Sequence, residues 1–211
     1  MKGYFISVEG GDGSGKSTQM QKIEAYLRAR GQEIVRTREP GGTPIAEKIR
    51  ALILDPENAA LTARAEMLLY AASRAQHIEE RILPALAAGK SVLSDRFTDS
   101  SIAYQGYGRG LGGMVAEVNR IATGGKAPDL TIFLDISPGA GMARKKSQEG
   151  HTLDRMEQEK AAFHEAVYKG YLALAAENAG RIAKIDADRP AEAVFADIQA
   201  ALDQLYGFSK K

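Results

Sequence analysis

Apolar positions along this chain fall into two alternating patterns. Short β-prone runs at residues 4–8, 33–37, 91–94 and 130–134, with a weaker one at 181–185, read as strands. Between them lie segments with helical spacing. Residues 17–30 carry Met20, Ile23, Tyr26 and Leu27 on one face and stop at Gly31, the residue type that closes helices. Residues 45–54, 63–88 and 191–205 read as further helices, the second of them long and ending before Gly89. Strands that alternate with helices predict a five-stranded parallel sheet covered on both faces, a three-layer α/β sandwich. Such sheets place ligands beyond the carboxyl ends of their strands, so the residues just after each strand carry the most information.

The first of these segments is the most specific. Gly10-Gly11-Asp12-Gly13-Ser14-Gly15-Lys16-Ser17 matches G-x-x-x-x-G-K-[ST] between a predicted strand and a predicted helix, the context that motif requires. Glycines let backbone N–H groups turn inward around phosphate oxygens, and the following helix points its positive end at the anion. Lys16 is expected at the β- and γ-phosphates, the Ser17 hydroxyl on Mg²⁺, and Thr18 completes the ATP set. A loop of this kind establishes only that a nucleoside triphosphate is bound.

The acceptor must be read from three later clusters. Arg38-Glu39-Pro40-Gly41-Gly42-Thr43 follows the second strand. Asp95-Arg96-Phe97 follows the third, with Ser100, Ser101, Tyr104 and Gln105 close behind. Tyr70 and Arg74 stand four apart on the long helix and so share a face. Arginine presents a planar fork suited to phosphate oxygens, which favours a phosphorylated acceptor. A phosphate nucleophile is already anionic near neutral pH, so none of the histidines is needed as a base.

These segments, together with Tyr104-Gln105-Gly106, Pro128-Asp129-Leu130 and Leu153-Asp154-Arg155 in the same order, resemble the bacterial thymidylate kinases over nearly the whole chain. The resemblance implies a P-loop nucleoside-monophosphate-kinase-like fold, a single domain over residues 1–211, ATP and dTMP as substrates, Mg²⁺, and a homodimer. It implies that Asp12 approaches the dTMP 3′-hydroxyl, Tyr70 stacks on thymine and Arg74 bonds the base. Arg38 and Arg96 hold the acceptor phosphate, Asp95 stands near the metal, and Ser100 and Ser101 meet the base edge. Tyr104 lies under the sugar, Tyr171 closes over the nucleotide, and Glu39 and Gln105 complete the dTMP set. Residues 139–155 correspond to a lid that closes on ATP. The P-loop positions Gly11, Asp12, Gly13 and Ser14 hold no base, which implies that the lid supplies the catalytic cation, with Arg144 and Arg155 favoured over Lys145 and Lys146.

Composition narrows the field. The 211 residues carry 28 basic and 27 acidic side chains, net +1, which offers no electrostatic case for nucleic acid or an anionic membrane. With no cysteine there is no disulfide, thiolate nucleophile or sulfur-based zinc site. No secretory leader pattern opens the chain and no segment nears the ~20 apolar residues of a membrane span, so a cytoplasmic protein is expected. Two rivals remain. A deoxynucleoside kinase would need a base such as Glu9 or Asp95. A regulatory or transport ATPase is disfavoured because neither Asn-Lys-x-Asp nor Leu-Ser-Gly-Gly-Gln occurs.

Overall fold

A computed structural model describes residues 2–146 and 154–208, with the Lys146 side chain also outside the description. Five parallel strands, β1 (Phe5–Glu9), β2 (Ile34–Arg38), β3 (Ser91–Asp95), β4 (Leu130–Asp135) and β5 (Ile182–Asp186), form one sheet in the order β2-β3-β1-β4-β5. β1 lies at the centre, paired with β3 through Val8 and Asp95 and with β4 through Val8 and Ile132. The chain turns to one side of β1 for β2 and β3 and to the other for β4 and β5. The crevice at the end of β1 is therefore the switch point where such sheets bind ligands.

The pleat of β1 separates two chemistries. Ile6 and Val8 face a core closed by α1 (Lys16–Ala29) and α9 (Ala191–Tyr206) through Met20, Ile23, Leu27, Ile198 and Leu202. Phe5, Ser7 and Glu9 take the opposite face. There Phe5 joins Ile78, Ile82 and Phe97, while the Ser7 hydroxyl meets Thr131 at 2.9 Å. Thr131 reaches Asp99, which Arg181 clamps with bonds of 2.7 and 2.8 Å. These polar groups are buried but paired, as interior polar groups must be.

This second face is covered by α3 (Ala63–His77), α5 (Thr98–Ser101), a π-helical stretch Ile102–Gly108, and α8 (Ala161–Glu177). α2 (Pro44–Leu54) and α6 (Met114–Thr123) pack against α3. Thr43 caps α2 and Pro44 takes its first position, where a missing N–H leaves nothing unsatisfied. The helix expected over 63–88 is interrupted: a π-helical turn, Ile78–Ile82, separates α3 from α4 (Leu83–Ala87). Pro84 supplies no N–H at this point, and a widened turn accommodates the lost bond. α8 was not among the expected helices. Its Gly170 lets it approach the π-helical stretch so closely that a Cβ there would stand 2.9 Å from the Tyr107 ring. Among the described residues no helix is long and apolar enough to cross a membrane.

Candidate active site

Lys16 opens α1 directly from the glycine loop. Its Nζ lies 3.0 Å from the carbonyl oxygens of both Gly10 and Gly11, folded back over the loop it belongs to. Burial, with Arg96 as a neighbouring cation, lowers its pKa to about 8. Ser17 and Thr18 are exposed at the helix start, while the buried Ser14 hydroxyl has no partner among the described residues. α7 (Pro138–Lys146) touches the loop backbone to backbone. A Cβ on Gly13 would stand 1.9 Å from the Gly141 oxygen, so the base of the expected lid rests on the P-loop and only glycine fits.

From this loop a cleft runs between α2, α3 and the residues after β3. Its lining includes Asp12, Lys16, Arg38, Tyr70, Asp95 and Arg96, and continues through Tyr104 and Gln105 to Asp154. Glu39, Arg74, Ser100 and Ser101 also line it. The structure thus gathers around one cavity nearly all the residues singled out after the strands and on α3.

Two arginines form its rigid wall. Arg74 is buried, and its guanidinium donates to Glu39 (2.7 Å), Ser101 (3.0 Å), Asn119 (2.6 Å) and the Phe97 carbonyl (3.2 Å). Of its five N–H donors, one is left for a ligand. Glu39 in turn holds His77 at 2.9 Å, and His77 reaches Thr37 at 2.7 Å. Arg96 sits at φ 69°, a left-handed conformation that a side chain adopts only when its surroundings hold it there. It is so held. Its Nη1 bonds Ser100 (3.1 Å) and Tyr171 (3.0 Å), its Nη2 bonds Tyr104 (3.2 Å), and Asp12 lies 3.6 Å away. Burial alone would raise the Asp12 pKa; Arg96, Lys16 and Lys145 outweigh it and hold the carboxyl below its ordinary range.

Several expectations are revised. Tyr171 does not close over the cleft: it is buried, stacked on Phe133 with ring centroids 5.1 Å apart, and its hydroxyl supports Arg96 from behind. Arg155 is not a free lid cation. It is 7% exposed, donates to the Ile53 carbonyl at 2.7 Å and pairs with the fully buried Glu66 at 2.7 Å. Arg144 donates to the Ala187 carbonyl and to Asp188, both at 2.8 Å. Lys145 instead turns toward the loop, paired with Glu157 and 3.6 Å from Asp12. Of the expected lid, residues 147–153 lie outside the described residues.

Four residues outside the expected ATP and dTMP sets also matter, one of them Glu9, named above only as a base for a nucleoside acceptor. Arg50 lines the cleft and donates to the Pro40 carbonyl at 2.8 Å. Glu66 and His77 extend the Tyr70–Arg74 face at spacings of four and three, a signal the sequence does carry. Glu9, the last residue of β1, accepts from Phe97 N at 2.7 Å, Ser100 at 2.5 Å and Tyr171 at 3.1 Å. Burial, reinforced by Asp99, raises its pKa to about 8.

A phosphate loop facing a cleft walled by arginines and aromatic rings, at the switch point of a 2-3-1-4-5 sheet, makes this chain a P-loop phosphotransferase of the nucleoside-monophosphate-kinase type. The comparisons narrow the class. The family model described as thymidylate kinase matches residues 8–198. A thymidylate kinase of Geobacillus sp. (strain WCH70) is 47% identical over 98% of this chain and the whole of the relative. That of Latilactobacillus sakei subsp. sakei (strain 23K) is 53% identical over 92% of each. The solved thymidylate kinase of Ehrlichia chaffeensis superposes with a TM-score of 0.77 at 31% identity, covering 96% of this chain and 99% of that one. The chain belongs to the thymidylate kinase family.

Proposed function

We propose that this chain transfers the γ-phosphate of ATP to dTMP, giving ADP and dTDP. The observation that carries this reading is the continuity of the cleft: the P-loop Lys16 and the wall of Arg38, Arg50, Arg96, Tyr70 and Tyr104 line a single cavity. The triphosphate lies along the loop amides, with Lys16 leaving its loop carbonyls for the β- and γ-phosphates. Arg96, Arg38 and Arg50 receive the acceptor phosphate, which attacks the γ-phosphorus as the bond to the β-phosphate oxygen breaks. Tyr70 and Gln105 meet the base, and Asp12 faces the sugar. Positioning and charge stabilisation supply the catalysis.

The residues present fit Mg²⁺. Asp95 Oδ1 is buried without a hydrogen-bond partner among the described residues, and Ser17 stands exposed at the helix start. A hard cation that keeps several waters needs only one or two such oxygen ligands besides the phosphates. Bound there, it would neutralise charge on the phosphate oxygens. Among the described lid cations, Lys145 is best placed to join Lys16 at the transferring group, because it already faces the P-loop.

An acceptor phosphate needs no base. Glu9, nominated for a nucleoside acceptor, is wholly buried behind Arg96 and is committed to three donors. The homodimer implied by resemblance is supported by Leu52, Leu68 and Ile121, each more than half exposed on the packed layer α2–α3–α6. An apolar surface of this kind suits a second copy.

The reaction is tested by coupled ADP release with Mg²⁺-ATP against dTMP, dUMP, UMP, AMP, thymidine and no acceptor. Turnover with dTMP well above the others is expected. Release that ignores the acceptor would remove the acceptor-site reading, and thymidine outrunning dTMP would restore a nucleoside kinase.

A further inference from the structure

Glu66 lies in the first turn of α3 and is fully buried. Its Oε1 accepts from Gln105 Nε2 (2.9 Å) and Arg109 Nε (3.1 Å). Its Oε2 accepts from Arg109 Nη2 (2.9 Å) and Arg155 Nη2 (2.7 Å). Burial would raise the Glu66 pKa, but the bonds from Arg109, Gln105 and Arg155 outweigh it and lower the value. The group is therefore an ionised carboxylate at neutral pH, with no hydrogen to donate.

That fact constrains Gln105. Only its NH₂ can face the carboxylate, so its carbonyl oxygen must point the other way. Gln105 lines the cleft, and its Oε1, shielded from solvent, is without a partner among the described residues. A base seated against Gln105 would therefore meet an acceptor in the wall, whose polarity is set by a residue that does not itself line the cleft. We infer that Glu66 is a specificity-positioning residue: by fixing the Gln105 amide, it selects a pyrimidine whose edge carries a ring N–H over one with a bare ring nitrogen.

This rests on the proposed reading of the cleft as a nucleotide acceptor site. Thymine and uracil carry the ring N–H; cytosine presents a lone pair at the same place, and a lone pair set against a fixed carbonyl oxygen is repelled. Replacing Glu66 by an amide removes the constraint, because either end of Gln105 then finds a partner in residue 66.

The test is kcat/KM for dTMP and dCMP in the wild type, E66Q and E66D. Wild type is expected to prefer dTMP, and E66Q to lower the dTMP-to-dCMP ratio by at least about tenfold. E66D keeps an acceptor-only group, so its ratio should stay within about twofold of wild type even where both rates fall. An equal loss on both substrates in E66Q would leave Glu66 only a structural anchor for Arg109 and Arg155, and would overturn the inference. A wild type without dTMP preference would instead defeat the reading of the cleft, a separate failure. Should E66Q not fold, the ¹⁵N-labelled wild type decides. The Gln105 NH₂ resonance, identified by its loss in Q105M, should be protected from solvent exchange with and without dTMP, and rapid exchange would overturn the inference.

Discussion

The acceptor side of the cleft and the donor side hold their cations in different ways. On the acceptor side Arg74 and Arg96 are locked by buried networks that reach back to Glu39, His77, Ser100 and Tyr171. On the donor side Lys16 caps carbonyls of its own loop, Lys145 is shared between Glu157 and Asp12, and Arg144 rests on an exposed aspartate. Buried charged hydrogen bonds are costly to break, whereas exposed pairs contribute about 0–1 kcal/mol. The acceptor wall is thus formed before any ligand arrives. On the donor side the Arg144 pair is of the exposed kind, and Lys16 holds only neutral loop carbonyls, which phosphate oxygens can replace.

Substitutions should separate the two sides, beginning with the largest effect. Lys16→Met is expected to reduce kcat by about 10³-fold or more with little change in melting temperature, since it removes a charge that acts on the transferring group. A variant that retains more than a tenth of wild-type kcat would take Lys16 out of the mechanism. Arg74→Ala strands the buried Glu39 carboxylate and should destabilise by about 3–5 kcal/mol in urea unfolding. Arg155→Ala takes from Glu66 one of its four charged bonds and leaves it Arg109 and Gln105, so its cost should be about 1.5–3 kcal/mol. Arg144→Ala should change stability by less than about 1 kcal/mol. If Arg155→Ala were as stable as wild type and only kcat fell, Arg155 would return to the role of lid cation and the contrast would fail.

Two smaller effects follow from protonation. Lys16 has a folded pKa lowered to about 8, and a bound triphosphate favours its charged form. ATP binding should therefore take up protons near pH 8 and weaken as pH rises above it, visible by calorimetry in buffers of different ionisation enthalpy. Proton release, or an affinity flat to pH 9.5, would contradict this. Glu9 shifts in the opposite sense. Its folded pKa, about 8, lies above the ordinary carboxyl value of 4.5, so the native state binds more protons between those values and its Glu9-linked stability declines as pH rises through that window. The melting-temperature difference between Glu9→Gln and wild type should accordingly grow in favour of the variant from pH 5 to 8.5. A constant difference would show that Glu9 does not carry the titration.

Much of this design was legible in the sequence. The strands were read to within a residue or so, because each is a short apolar run with a turn residue or a charge at its end. The P-loop was read from the spacing of Gly10, Gly15, Lys16 and Ser17 alone, whereas the close approach of Gly141 that demands glycine at Gly13 is visible only in the fold. The cleft residues were gathered by one rule, that side chains after parallel strands converge. What escaped depends on distant partners. Arg155 and Glu66 are 89 positions apart, and nothing in a basic lid sequence says which cation meets a buried acid. The same holds for Tyr171, whose hydroxyl finds Arg96 across 75 positions. α8 went unassigned although Phe163, Val167, Tyr171 and Leu174 mark a helical stripe, with Gly170 in its midst where a helix former is usual.

The central claim is transfer from a P-loop-bound triphosphate to a nucleotide seated against the preformed arginine wall. A single-turnover quench with γ-³²P-labelled ATP, with and without dTMP, tests it most directly. The account predicts that label moves to dTDP when dTMP is present, with little inorganic phosphate formed in its absence. Label that appears as inorganic phosphate at the same rate whether or not dTMP is added would contradict it.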